Sequence, residues 1–343
     1  MILYLVQAHR DVEQILAFLE HSSHRGCAYL LNLDPGMRDR AEDLRSQIAA
    51  RKLESVTVRI GVPVAWGGIS QVHAFLDALA FALTMDEPWD HLINLSADSI
   101  ALAPQAGIES FYANALRNGQ RVHLSYFGSG VRLSGFSLLD WGGAEGFDAR
   151  AEMVDLYRRV PALVDSKVAN LIGERSTSPL FRWRHRCGIH VTDLVLEKKL
   201  VMRSLLPLEA EYRIRSFGKR LLFGGRAWYT LARSAIEDML SDPFLGEVVN
   251  MLEHFFCPDE LFLQTYFMHG DRFKPKEIDR ENQRFRRGDA VAIRDEMAEE
   301  LFASGAFFAR KVVLRNCPSL RSTLDMMIQE QDESAGSSRN HPV

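Results

Sequence analysis

The sequence predicts an α/β fold: a mostly parallel sheet with helices covering both faces. Over the first 126 residues, short apolar runs alternate with stretches of helical period, and polar breaks separate them. The carboxyl ends of those runs carry polar side chains: Gln7 and His9, Asn32 and Asp34, Ser96 and Asp98. In open sheets of this kind ligands lie beyond the strand ends, so a nucleotide is sought there.

Taken in order, "ILYLV" (2–6) reads as a buried strand, and Val12, Ile15, Leu16 and Leu19 repeat at helical spacing behind a capping Asp11. "CAYLLNLD" (27–34) is a second strand, "RDRAEDLRSQIAAR" (38–51) a second helix and "SVTVRI" (55–60) a third strand. After "WGGIS" (66–70), Val72, Phe75, Leu76, Leu79 and Leu83 form one helical stripe behind a capping Ser70. "HLINLS" (91–96), "GIESFYANALRNG" (107–119) and "RVHLSYF" (121–127) follow as strand, helix and strand. Residues 127–205 are less regular and rich in arginine, a region expected to face the site. "LLFGGRAWYTLARSAIEDML" (221–240) returns to strand, glycine turn, strand and helix, and the polar tail 329–343 is expected to be disordered.

With 343 residues, 47% hydrophobic and 25% charged, the chain can bury a sizeable core. A formal net charge of -4 gives no global attraction for a polyanion, so nucleic acid is not an expected partner. Cys27, Cys187, Cys257 and Cys317 lie far apart in sequence, without a zinc or redox spacing, and read as reduced core thiols. Neither a signal peptide nor an apolar run of about 18 residues is present, so no transmembrane helix is expected. The expected location is cytoplasmic, with peripheral membrane contact left open. GxGxxG and GxxxxGK[ST] loops are absent, which argues against a nicotinamide dehydrogenase and a P-loop NTPase.

One stretch, "HFFCPDELFLQTYF" (254–267), sets Asp259 and Glu260 between a proline and an apolar run. Pro258 suits the first turn of a helix, and acids there complement the helix dipole. By residue type alone, a structural and a catalytic reading are both open.

Seven short signatures, in order, resemble the core-2/I-branching glycosyltransferases and the related protein xylosyltransferases. They are "YLVQAHRD" (4–11), "LLNLD" (30–34), "WGGIS" (66–70), "WDHLINLSADSI" (89–100), "FGGRAWYTLAR" (223–233), "HFFCPDELFLQT" (254–265) and "SGAFFARKV" (304–312). The resemblance implies a GT-A-type fold: one catalytic domain over 1–328, with a nucleotide-binding half (1–126) and an acceptor-binding half (127–328). It also implies an inverting transfer from a UDP-sugar to a hydroxyl of an acceptor glycan or glycolipid. N-acetylglucosamine to a 6-hydroxyl is the expected case, with xylose and glucuronate as alternatives. A non-catalytic sugar-nucleotide or glycan-binding module on the same fold is the reading from another class.

The resemblance places the general base at Glu260, with Asp259 as its structural partner on the substrate side. Most GT-A enzymes hold a divalent metal at a DxD motif. Here "SADS" offers the single carboxylate Asp98, a poor cage for a hard cation. The implied enzyme needs no metal or other cofactor, its diphosphate being met by Lys311 beside Arg310. Among Lys276, Arg280, Arg284, Arg286 and Arg287 a second phosphate contact is expected without a choice between them. Gln7, His9, Asp34, Trp66 and Ser96 stand at donor positions, and Trp228, Tyr229, Arg182 and Arg186 at acceptor positions. Lys311 also reads as a solvated lysine, His9 as a structural histidine and Trp66 as a core tryptophan. Animal members carry a membrane anchor and disulfides. Their absence here suggests a bacterial-type relative that builds a surface polysaccharide or glycolipid.

Overall fold

The computed structural model describes residues 1–9, 11–22, 26–65, 68–124, 223, 225–253, 258–269, 272–279 and 293–326, and only the backbone of 131–134, 137–138, 193–196, 199–202, 221–222 and 285–287. Strands β1 (Ile2–Ala8), β2 (Cys27–Leu33), β3 (Val56–Ile60) and β4 (His91–Ser96) are parallel and lie in the order β3-β2-β1-β4. A short β5 (Ile100–Ala101) follows, and β6 (Val122–Leu124) joins the main sheet. A separate five-stranded sheet takes β7 (Val131–Ser134), β8 (Ser137–Leu138), β9 (Asp193–Leu196), β10 (Lys199–Met202) and β11 (Leu221–Leu222).

Later chain completes the main sheet to seven strands. β12 (Tyr229–Ala232) inserts antiparallel between β4 and β6, and β13 (Ile278–Asp279) adds parallel to β6. The expected α/β, mostly parallel sheet is therefore present, and strands from beyond residue 127 are integral to it. A third sheet of β14 (Phe285–Arg287), β15 (Phe308–Arg310) and β5 docks the C-terminal part.

The central strands are buried on both faces, which is why they read as unbroken apolar runs. On one face Leu3, Leu5 and Leu30 pack with Phe75 and Leu79 of α3 (Ser70–Leu83). On the other, Tyr4, Val6, Tyr29 and Leu31 meet α1 (Val12–Ser22), α2 (Arg38–Ala50) and α4 (Gln105–Arg117) through Ile15, Leu19, Leu44 and Ile108. Helices α5 (Arg233–Leu240), α6 (Pro243–Leu252) and α7 (Phe262–His269) join the α3 face through Ile236, Val248 and Phe262. The short α8 (Ala298–Ala303) packs into a third cluster with Ala309, Val312 and Leu314. Cys27 and Cys317 are buried thiols in no disulfide, as expected; Cys187 and Cys257 lie outside the described residues.

Two expected caps differ in outcome. Asp11 does accept from the Gln14 amide at 3.2 Å. Ser70 is instead the first residue of α3, and its Oγ accepts from the Ala65 amide at 2.8 Å. That hydroxyl closes the preceding turn, so it is not available to the helix.

At the amino end of β4, His91 is 2% exposed and close to His123, whose Nδ1 lies 3.0 Å from Asp279. Burial, and then the neighbouring His123, push His91 down to about 4 from its ordinary 6.5. The unfolded chain therefore binds the extra proton between those values, and folding stability drains away as pH falls from 6.5 toward 4. The loss amounts to on the order of 3 kcal/mol. Denaturant unfolding of His91→Gln across that window is expected to show a shallower acid loss than wild type. Parallel curves would place the ring's proton in both states alike.

Candidate active site

The site lies at the carboxyl ends of β1, β2 and β4, where strand register sets Asn32, Gln7 and Ser96 side by side. Asn32 Nδ2 donates to Gln7 Oε1 at 2.9 Å, orienting the Gln7 amide. Gly61 makes room behind them: a Cβ there would sit 2.7 Å from Asn32 Oδ1. His9 follows β1 and is exposed. Asp34 Oδ1 accepts from the Gly36 amide at 2.8 Å, so one of its oxygens caps the turn after β2.

After β4 the chain turns sharply. Ser96 Oγ donates to the Asp98 carboxylate and approaches Ser99 Oγ at 3.2 Å. The Asp98 carbonyl accepts from the Val312 amide at 2.8 Å, tying this turn to the end of β15. There Arg310 Nη2 lies 3.7 Å from Asp98 Oδ1, and its guanidinium carbon lies 4.2 Å from the centre of the Trp228 ring. Lys311 is exposed, with its carbonyl held by the Ile293 amide at 2.7 Å. Ser96, Asp98, Arg310 and Trp228, scattered over more than two hundred positions, thus meet at one edge, and Lys311 is next in the chain. Among the described residues, no three His, Cys, Asp or Glu side chains cluster as metal ligands would.

The carboxylates stand on a single 3-10 turn, Pro258–Glu260, leading into α7. The "FGGRAW" loop is laced between that turn and the sheet. Phe223 N donates to Thr265 Oγ1 at 3.0 Å, Gly225 N to the Glu260 carbonyl at 2.9 Å, and Gln264 Nε2 to the Arg226 carbonyl at 3.1 Å. On the sheet side, Asn94 Nδ2 donates to the Ala227 carbonyl at 3.1 Å. Two motifs separate in sequence are therefore one structural unit, and Trp228 follows directly from it.

Within the unit the two acids differ. Glu260 is half-buried at the loop. Asp259 lies beside α3, where Gln71 Nε2 reaches its Oδ2 at 3.4 Å. Burial pushes the Asp259 carboxyl up to about 6, against the pull of the Asp259 and Glu260 amides. Its raised value opposes the His91 effect, since ionising a buried acid costs stability as pH rises. Tyr229 is 5% exposed and packs edge-on against Phe75 at 4.7 Å, and burial together with the Asp259 charge raises its hydroxyl well above the usual range.

Trp66, Arg182 and Arg186 lie outside the described residues, as do Arg280 and Arg284; Arg286 and Arg287 are described as backbone only, and Lys276 is exposed. Sequence reasoning did not single out Gln71 and Asn94. Asn94 sits between apolar neighbours on a predicted strand, and that polar interruption was its signal; Gln71, between Ser70 and Val72, carried none.

These features are those of an α/β sheet that gathers polar and charged side chains at its carboxyl edge. Residues 2–125 match the family model described as Core-2/I-Branching enzyme. Comparison with curated proteins found no match. Among solved structures, the chain is similar to residues 1–349 of S. aureus TarS at 10% identity and a TM-score of 0.27, over 40% of this chain and 42% of that one. It is also similar to mouse xyloside xylosyltransferase 1 in its apo form at 12% identity and a TM-score of 0.34, over 90% of this chain and 96% of that one. The chain thus spans less than half of the first of these and nearly all of the second. Among the described residues, no helix is long and apolar enough to cross a membrane.

Proposed function

We propose that the chain is an inverting, metal-independent transferase that moves a sugar from a UDP donor to an acceptor hydroxyl. N-acetylglucosamine is the donor sugar and a 6-hydroxyl of a glycan or glycolipid the acceptor. The observation that carries this reading is the chain of contacts from the carboxylate turn through the loop at Gly225 and Ala227 to Asn94 of β4, and from Trp228 beside it to Arg310 and Asp98. Glu260 is held through its own carbonyl by the "FGGRAW" loop, while Arg310 and Lys311 leave β15 beside Asp98.

Each part answers a chemical need. An acceptor hydroxyl is a weak nucleophile, so a carboxylate takes its proton as the new glycosidic bond forms. The bond to UDP breaks on the opposite face, which inverts the anomeric centre. Negative charge then develops on the departing diphosphate, and fixed cations stabilise it without a metal. Asp98 fits a cation-side role better than a metal cage, because Ser96 and Arg310 already engage its carboxylate. Gln7, oriented by Asn32, and Asp34 line the edge where uracil and ribose are placed.

Acceptor-dependent UDP release is expected to be unchanged, within about twofold, in excess chelator, because no step draws on a bound cation. Abolition by EDTA with recovery on adding manganese would assign Asp98 to a metal. Product analysis by proton NMR is expected to show a β-linkage from an α-linked donor. Parallel assays with UDP-xylose and UDP-glucuronate decide the donor sugar. Binding of UDP-sugars with no transfer to any acceptor would favour a binding module.

A further inference from the structure

Trp228, Arg310 and Asp98 come from three strand ends and form one stack. Trp228 immediately precedes β12, Arg310 closes β15 and Asp98 follows β4. The Arg310 guanidinium sits over the ring, its carbon 4.2 Å from the centroid. Its Nη2 is 3.7 Å from Asp98 Oδ1, longer than the contact of a tight charge-assisted hydrogen bond. The Arg310 side chain is 14% exposed and that of Asp98 27%, so the pair is half-screened from water. Ser96 and the Val312 amide fix Asp98, and the Asn94–Ala227 bond fixes the backbone just before Trp228. The ring and the carboxylate are thus held, and the guanidinium rests between them.

We infer that Trp228 is a positioning residue on the donor side: its ring holds Arg310 ready for the donor diphosphate, and Asp98 is the resting counter-ion that the diphosphate displaces. This rests on the transferase reading above. It moves Trp228 away from the acceptor role that its place after "GGRA" implied. An arginine stacked on an aromatic face has its fork pre-ordered, so less conformational freedom is lost when it meets a phosphate. The 3.7 Å contact to Asp98 offsets the guanidinium charge at rest yet gives way to a dianionic group.

Calorimetric titration of the full chain with UDP in excess chelator, together with donor and acceptor KM values, tests this. Trp228→Ala is expected to weaken UDP binding about tenfold, and Trp228→Phe much less. Arg310→Ala is expected to lose at least as much, and the double variant no more than Arg310→Ala alone. Asp98→Asn is expected to tighten UDP about threefold by removing a competing charge. Losses that add in the double variant, or a Trp228→Ala effect confined to acceptor KM, would overturn the inference. So would an Asp98→Asn variant that binds UDP more weakly and is restored by manganese. Wild-type protein that binds neither UDP nor any UDP-sugar would sink the transferase reading itself, and the inference with it. Wild-type binding with uncoupled variants sinks the inference alone.

Discussion

Glu260→Gln is expected to lower turnover by about 10²–10⁴-fold while leaving the UDP dissociation constant within about twofold of wild type. The substitution preserves size and hydrogen-bonding shape but removes the site that accepts the acceptor's proton. The turn itself should persist, because Glu260 is anchored through its main-chain carbonyl to Gly225, and Pro258 and Leu261 close the turn through their own backbone. Asp259→Asn is the matched control. Asp259 lies against Gln71 and the buried Tyr229, so its change is expected to act on stability before it acts on chemistry. Steady-state kinetics on both variants separate the two acids; near wild-type turnover in Glu260→Gln would remove the base assignment.

Lys311→Ala comes next in size, with an expected fall in kcat of about 10²–10³-fold and a smaller rise in donor KM. Charge on the diphosphate grows as the sugar departs, so a fixed cation contributes more in the transition state than in the bound donor. Because the side chain is exposed and the residue is held through its carbonyl by Ile293, the melting temperature should barely move. Lys311→Arg is expected to recover part of the rate. Unchanged kcat in the alanine variant would leave the leaving group to Arg310 alone.

The parts of the fold legible in the sequence are those with long, uniform signals. β1, β2 and β4 are buried on both faces, so their apolar runs have no competing pattern, and the α3 stripe repeats cleanly from Val72 to Leu79. β5 is two residues long, β13 likewise, and neither length can carry a period. The antiparallel insertion of β12 between β4 and β6 is a long-range pairing, which local pattern does not encode. Ser70 illustrates a different limit. A hydroxyl before an apolar stripe reads as a cap, but the turn at Ala65 competes for it and wins.

The site divides in the same way. The candidates Asp259, Glu260, Asp98, Arg310 and Lys311 are proposed from residue types and motif order, which are visible in one dimension. The stacking of Arg310 on Trp228 joins positions from two strands that are not neighbours in sequence, and only the fold brings them within 4.2 Å. Likewise Asn94 lies inside an apolar strand, and only the fold brings its amide to the Ala227 carbonyl.

The most direct measurement is UDP release by the purified full chain from UDP-N-acetylglucosamine, with and without a panel of acceptor glycans and glycolipids, in excess chelator. Release that depends on acceptor, persists without metal and disappears in Glu260→Gln is the predicted result. Release that is the same with and without every acceptor, or that needs manganese, would contradict it.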